Sequence, residues 1–153
     1  LKPLLSDVNM VSAPVIAKQR DIELTEVKRE EPRGAFETYI RLTVKTERQD
    51  RSVAGTIFSG NRPRVIQVKG IDMEAELGAN MLYVTNEDKP GFIGALGMAL
   101  GNAGVNIANF RLGREEAGGG AIALVETDCP LSAEALAAVQ ALPHVKQAKA
   151  LTF

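Results

Sequence analysis

Between residues 86 and 107 the chain reads Asn86-Glu87-Asp88-Lys89-Pro90-Gly91-Phe92-Ile93-Gly94, continues without a charge to Gly104, and closes on Val105-Asn106-Ile107. These residue types fit a strand end, a short acidic and amide-bearing loop, a helix opened by Pro-Gly, and a second strand with an asparagine near its start. Proline has a fixed φ and no N–H, so Pro90 suits the first helical position, where that donor would be unpaired anyway. Gly91 lets another molecule come close to the backbone. A helix N-terminus offers free N–H groups and partial positive charge, which is what a small carboxylate needs. Asp88 and Asn86 suit the ammonium and hydroxyl of the same molecule. The loop therefore reads as a receptor for a free amino acid.

The helix that follows must position this loop. At about 100° per residue, Phe92, Ile93, Leu96, Leu100 and Ala103 share one apolar stripe expected to face the core. Gly94, Gly97, Gly101 and Gly104 form a second stripe beside it. Each helical glycine costs about 1 kcal/mol relative to alanine, so the row implies close backbone approach or required mobility, with tight helix-on-sheet packing as the plain structural reading. The segment 90–110 carries no charge, but its five glycines and three asparagines argue against a membrane span. It is expected instead to be buried against another subunit or domain.

Composition narrows the function classes. With 18 basic and 19 acidic residues in 153, there is no electrostatic footprint for nucleic acid or an acidic membrane, and tryptophan is absent. Cys129 is the one cysteine, so neither a disulfide framework nor a zinc spacing exists, and the one histidine, His144, has no evident link to it. No Gly-x-Gly-x-x-Gly follows a strand, and there is no P-loop and no His/Asp/Ser grouping; catalytic residues, metal ligands and a bound cofactor are not expected. Asp88 as a general base would have only Glu87 nearby as a partner acid. No signal peptide or lipidation motif is visible, leaving the cytoplasm as the default. A start at Leu1 rather than Met suggests a piece of a longer protein.

Two small domains are expected, 1–78 and 79–153, because charge thins sharply near residue 80: 13 basic and 12 acidic residues precede it, and 5 basic and 7 acidic follow. In the first, a helix begins either at a Ser6 cap, with Val8, Val11 and Val15 at helical spacing, or afresh at Ser12 because of Pro14. Strands are expected over 22–28, 36–46, 52–58 and 64–69, with a hairpin at Ser59-Gly60-Asn61-Arg62 and a short extension at Gly70-Ile71-Asp72-Met73. In the second, strand 81–85 leads into the Pro-Gly helix. Strand 105–113, a hairpin over 115–120 and strand 121–127 come next. A Ser132-capped helix with Leu136, Val139 and Leu142 follows, stopped by Pro143, and strand 145–153 closes the chain. The fold class is α+β: one helix with an antiparallel meander, followed by a βαββαβ ferredoxin-like sandwich.

On that strand order, Asp88-Lys89-Pro90-Gly91 and Gly104-Val105-Asn106-Ile107 resemble an ACT domain, the amino-acid-sensing module, and in particular the serine-sensing domain of the D-3-phosphoglycerate dehydrogenase family. In the first part, Val8-Asn9, Ser12-Ala13-Pro14, Ser52-Val53-Ala54-Gly55-Thr56 and the 64–70 strand resemble the extra, allosteric substrate-binding domain of that family's longer members. The resemblance implies a carboxy-terminal regulatory region beside a catalytic domain that uses NAD to oxidise 3-phosphoglycerate. It implies L-serine, or another small amino acid, held between two ACT domains of a homo-oligomer. One subunit would offer Asn86, Asp88, Lys89 and the Pro90-Gly91 backbone, and the other would offer Asn106. It also implies an anion site, drawing on Arg62 and Arg64. Two other parents fit less closely: a bacterial L-serine dehydratase, and an assembly domain with no ligand.

Overall fold

The computed structural model describes residues 8–9, 11–28, 39–58 and 61–153. The chain divides into two compact units, Leu1–Ala35 and Phe36–Phe153.

In the first unit, α1 spans Ala13–Gln19 with Ser12 as N-cap and Pro14 in its first turn. Of the two starts the sequence allows, the helix uses the later one, and proline's missing N–H costs nothing there. The turn before it is pinned by Asn9, whose Oδ1 accepts from the N–H groups of Val11 and Ser12, each at 2.9 Å. The Ser6 cap lies outside the described residues. Residues 22–28 are not a strand: Ile22, Leu24 and Val27 are exposed and no ladder partner exists among the described residues. Alternation favours an extended chain, but a strand needs a neighbouring edge to bond.

The second unit begins with an antiparallel sheet in sequence order: β1 (Ile40–Lys45), β2 (Asp50–Phe58), β3 (Arg62–Val68) and β4 (Ile71–Ala75). Positions 36–38 and 59–60 of the expected strand and hairpin lie outside the described residues. The expected extension is a full edge strand. Val68 pairs with Ile71, and the turn residues Lys69 and Gly70 both have positive φ, 51° and 84°, which suits a two-residue hairpin turn.

The second sheet has the order β6-β7-β5-β8. Its strands are β5 (Asn80–Glu87), β6 (Ile107–Arg114), β7 (Gly120–Thr127) and β8 (Val145–Thr152), with helices α2 (Phe92–Asn102) and α3 (Ala133–Gln140) as crossovers. This is the expected βαββαβ arrangement, two interleaved split βαβ units. Leu82, Val84, Ala123 and Val125 meet Phe92, Leu96 and Leu100 of α2 and Val139 of α3 in the main core. Each of those large apolar side chains contributes about 1.5–3 kcal/mol by leaving water. Ser132 caps α3 by accepting from Ala135 N–H at 3.1 Å. Leu142 falls past the end of α3 but still packs against the core.

The opposite face of this sheet meets the first sheet. Met81 and Leu124 pack with Val65 and Ala75. Lys69 Nζ lies 5.8 Å from the centre of the Tyr83 ring. Partial burial, and then the positive charge of Arg51, lower the Lys69 pKa, while burial raises that of the Tyr83 hydroxyl. Gly113 of β6 lies so close to β4 that a Cβ there would stand 2.7 Å from the Asp72 carbonyl oxygen.

Three expectations for α2 change. The N-cap is Gly91, so Pro90 sits just ahead of the helix rather than in its first turn. Gly91 has φ 90°, a conformation only glycine adopts without strain, and it is this bend that starts the helix. Ile93 and Ala103 leave the core stripe, because Phe92, Leu96 and Leu100 centre it; Ile93 is 55 % exposed. The glycine row does not pack on the sheet: nothing lies within 4 Å of a Cβ built at Gly94, Gly97 or Gly101. Gly94 and Gly101 are exposed and Gly97 half-buried, beside an exposed Met98.

Candidate functional site

The loop after β5 and the start of α2 line a cavity of about 580 Å³ together with the end of β6 and the hairpin after it. Asp88, Lys89, Pro90 and Gly91 form one wall, Phe92 and Gly94 the floor of the helix, and Leu112, Arg114 and Gly118 the other side. The register explains the meeting. Asn86 of β5 and Arg114 of β6 both pair with Ala121 of β7, so the strand ends stand level with one strand between them. No side chain caps α2; the Phe92 N–H donates to Lys89 O at 3.4 Å, and the residues that open the helix line the cavity.

Asp88 is the charged centre. Its backbone N–H donates to Gly119 O at 2.8 Å, which ties the loop to the hairpin tip. Its Oδ2 accepts from Arg114 Nη1 at 3.2 Å and from Gly118 N–H at 3.3 Å. Glu87, the neighbouring carboxylate, has other partners: His144 Nδ1 at 3.5 Å and Lys146 Nζ at 3.7 Å. The two acids therefore do not act as a general acid/base pair. Lys89 is exposed at the rim.

Asn86 lies behind this wall. It is 2 % exposed, its Nδ2 donates to Glu87 O at 2.7 Å, and its Oδ1 has no partner. A buried acceptor left unpaired costs about 1–3 kcal/mol, so the position carries a constraint beyond packing.

Asn106 is elsewhere. It precedes β6 at the far end of the sheet, where its Nδ2 donates to Asp128 Oδ2 at 2.7 Å. Glu87 pairs with Gly120 and Ile107 with Thr127, seven residues apart on β7. At roughly 3.3 Å per residue, that separates Asp88 from Asn106 by on the order of 23 Å. One chain cannot bring both to one small molecule.

The basic pair of the first sheet is also occupied in part. Arg64 is bonded to Glu76, lies 3.8 Å from Glu74, and stacks 5.8 Å over the Phe58 ring. An anion there would have to displace two carboxylates. Arg62 is exposed on the same strand.

Sequence reasoning missed Arg114, Gly118 and Leu112. The usable signal was the hairpin length: a tight Glu115–Gly120 turn returns the end of β6 to the level of the β5 loop. The glycine run there reads as a flexible tip, whereas Gly118 and Gly119 both bond to Asp88.

Comparison with known proteins accounts for both parts of the chain. Residues 1–69 match the D-3-phosphoglycerate dehydrogenase intervening domain, and residues 80–144 match the ACT domain. A D-3-phosphoglycerate dehydrogenase of Methanocaldococcus jannaschii is 30% identical over 143 residues, covering 94% of this chain and 27% of that protein. Those of Bacillus subtilis (29% over 150 residues; 97% of this chain, 28% of that protein) and Archaeoglobus fulgidus (31% over 138 residues; 88% and 26%) are similar. The chain corresponds to the intervening and ACT region of D-3-phosphoglycerate dehydrogenase homologues. It spans about a quarter of the length of these relatives. The cavity lies wholly within the ACT match, whereas Arg62 and Arg64 fall in the intervening match. Every relative named here is a dehydrogenase, which favours that parent over a serine dehydratase.

Proposed function

We propose that the ACT domain of this chain binds a small free amino acid, L-serine first among them, and that two copies close around each ligand. The parent enzyme would be an NAD-dependent oxidoreductase acting on 3-phosphoglycerate, with serine as its feedback inhibitor and the cofactor held outside this region. The chain's two domains would be 1–78 and 79–153. The observation that carries the reading is the cavity itself, where a helix start without a side-chain cap and a carboxylate stand at one rim. The ligand carboxylate sits at the Pro90-Gly91 end of α2 and its ammonium at Asp88, so opposite charges meet at both ends.

Asn106 supplies the argument for a second copy. β6 is an edge strand, and two β6 edges pairing antiparallel about their middles bring residue 106 of one copy opposite residue 115 of the other. That is beside Arg114 and Asp88. Asn106 of a second copy then completes the pocket that its own chain cannot reach. The bare glycine face of α2 gives such a neighbour room to approach. An anion at Arg62 and Arg64 belongs to the same reading only if Glu74 and Glu76 release the guanidinium.

Thermal unfolding with a panel of L-amino acids tests the proposal. A ligand at a hundred times its Kd stabilises the folded form by about 2.7 kcal/mol, a rise in Tm of roughly 5–10 °C for a chain of this size. L-serine should give that shift, and Asp88→Ala should remove it while leaving the ligand-free Tm within about 2 °C. No shift with any amino acid would leave assembly without sensing as the function, and a shift that survives Asp88→Ala would refute the pose.

A further inference from the structure

The geometry points to Arg114 as the residue that makes this cavity select a zwitterion over a simple amine. The inference rests on the amino-acid reading of the cavity and adds to its rim cation Lys89 a second one, bonded to Asp88 itself and placed to reject ligands without a carboxylate.

Arg114 and the Gly118 N–H both bond the same oxygen of Asp88, Oδ2. Among the described residues no donor reaches Oδ1, and no acceptor takes the Nε or Nη2 groups of Arg114. Both side chains line the same cavity, beside the start of α2. Asp88 is therefore held in one orientation with one oxygen open, and Arg114 keeps most of its planar fork available. Arg114 is 60 % exposed and Asp88 20 %, so the arginine side chain is free to turn toward a ligand while the carboxylate stays fixed.

An incoming ammonium at Oδ1 comes within a few ångströms of the guanidinium. A plain amine meets that charge uncompensated. A zwitterion does not, because its carboxylate accepts from the open N–H groups of Arg114 and from the helix start. The four charges then alternate around a ring: Asp88, ligand ammonium, ligand carboxylate, Arg114. The site stays neutral as it fills. Neither an amine nor a simple carboxylate closes that ring, so Arg114 sets the class of ligand, and the smaller contacts set which member of the class binds.

Titration calorimetry on the full chain, with L-serine and with ethanolamine (serine without its carboxylate), decides this. Wild-type protein should prefer serine by about ten- to a hundredfold, the range for hydrogen bonds to charged groups. In Arg114→Gln the serine affinity should fall by a similar factor while ethanolamine holds or tightens, so the preference collapses. Arg114→Lys should keep part of it, because charge without the planar fork gives a poorer carboxylate contact. A preference unchanged in Arg114→Gln overturns the role of Arg114 and leaves the amino-acid site standing. Ethanolamine binding wild type within about threefold of serine overturns it without any variant, a preference below one factor of ten being under the expected range. Wild type binding no amino acid at all ends both readings together.

Discussion

Replacing Gly97 with alanine separates what the helix needs from what its neighbour needs. Gly97 lies mid-way along α2, on the flank beside the buried Phe92, Leu96 and Leu100. A Cβ there meets nothing within 4 Å, so the new methyl displaces no atom of the chain. What remains is intrinsic propensity: glycine in a helix interior is about 0.8–1.0 kcal/mol worse than alanine, because it gives up more backbone freedom on folding. Gly97→Ala should therefore raise the unfolding free energy of the dilute chain by about 0.5–1 kcal/mol. A sequence that forgoes this gain at Gly94, Gly97 and Gly101 alike has another use for the bare backbone.

Urea unfolding at low protein concentration reads the first effect as a higher midpoint at unchanged slope. Sedimentation equilibrium at higher concentration reads the second. If the glycine flank meets another copy, three added methyls at 94, 97 and 101 hold the backbones apart, and self-association weakens by tenfold or more, about 1.4 kcal/mol. A loss of stability in the single variant would refute the open geometry of the flank. Unchanged association in the triple variant would refute its burial in an assembly, and the glycines would then need a different account.

Gly113→Ala should behave in the opposite sense, since its Cβ would stand 2.7 Å from the Asp72 carbonyl oxygen and 2.8 Å from Ile71 Cγ2. Backbone must move, and overpacking of this kind costs about 1–3 kcal/mol in urea unfolding; a loss under about 0.3 kcal/mol would contradict the contact between the sheets. Glu134 carries a pH effect. Its own backbone N–H and then the Ser132 hydroxyl hold its carboxyl below the usual range. A group with a depressed folded pKa binds fewer protons when folded, so its stabilisation is present above the unfolded pKa and fades as pH falls through the folded one. Glu134→Gln should therefore flatten the acid limb of a Tm-against-pH curve and leave the neutral region nearly unchanged; an identical acid limb would count against the cap geometry.

The second half of the chain was legible because its signals agree at every level. β-branched and apolar runs mark β5 and β7, Ser132 and Pro143 bracket α3, and the core stripe of α2 follows from helical spacing. Local chemistry failed where a neighbour decides the outcome. Residues 22–28 alternate like a strand, yet no edge among the described residues accepts them. Ile93 fits the apolar stripe by angle, but it stands at the stripe's edge and is left exposed. Pro90-Gly91 reads as a proline-first helix until the left-handed glycine is seen to be the bend itself. That Asp88, Lys89, Pro90 and Gly91 belong to one loop at a helix start was readable from type and order. Their partner across the cavity was not, because Arg114 reaches Asp88 only through strand register, and register is a property of the sheet rather than of either segment.

That same register places the cavity end of β6 next to the first sheet. Arg114, which holds Asp88, follows directly on Gly113, the residue pressed against the Asp72 carbonyl of β4. Asp72 Oδ1 in turn accepts from Gln67 Nε2 at 2.7 Å, and Gln67 Oε1 accepts from Arg41 Nη2 at 2.7 Å, a row of side chains that crosses the first sheet to β1. A ligand that turned Arg114 would act one peptide away from this close approach. Only a residue without a side chain fits there, so a shift at the end of β6 would bear on the first sheet. Softer packing at position 113 would let the hairpin move alone. The close approach of Gly113 thus sets the cavity end of β6 directly against the meander.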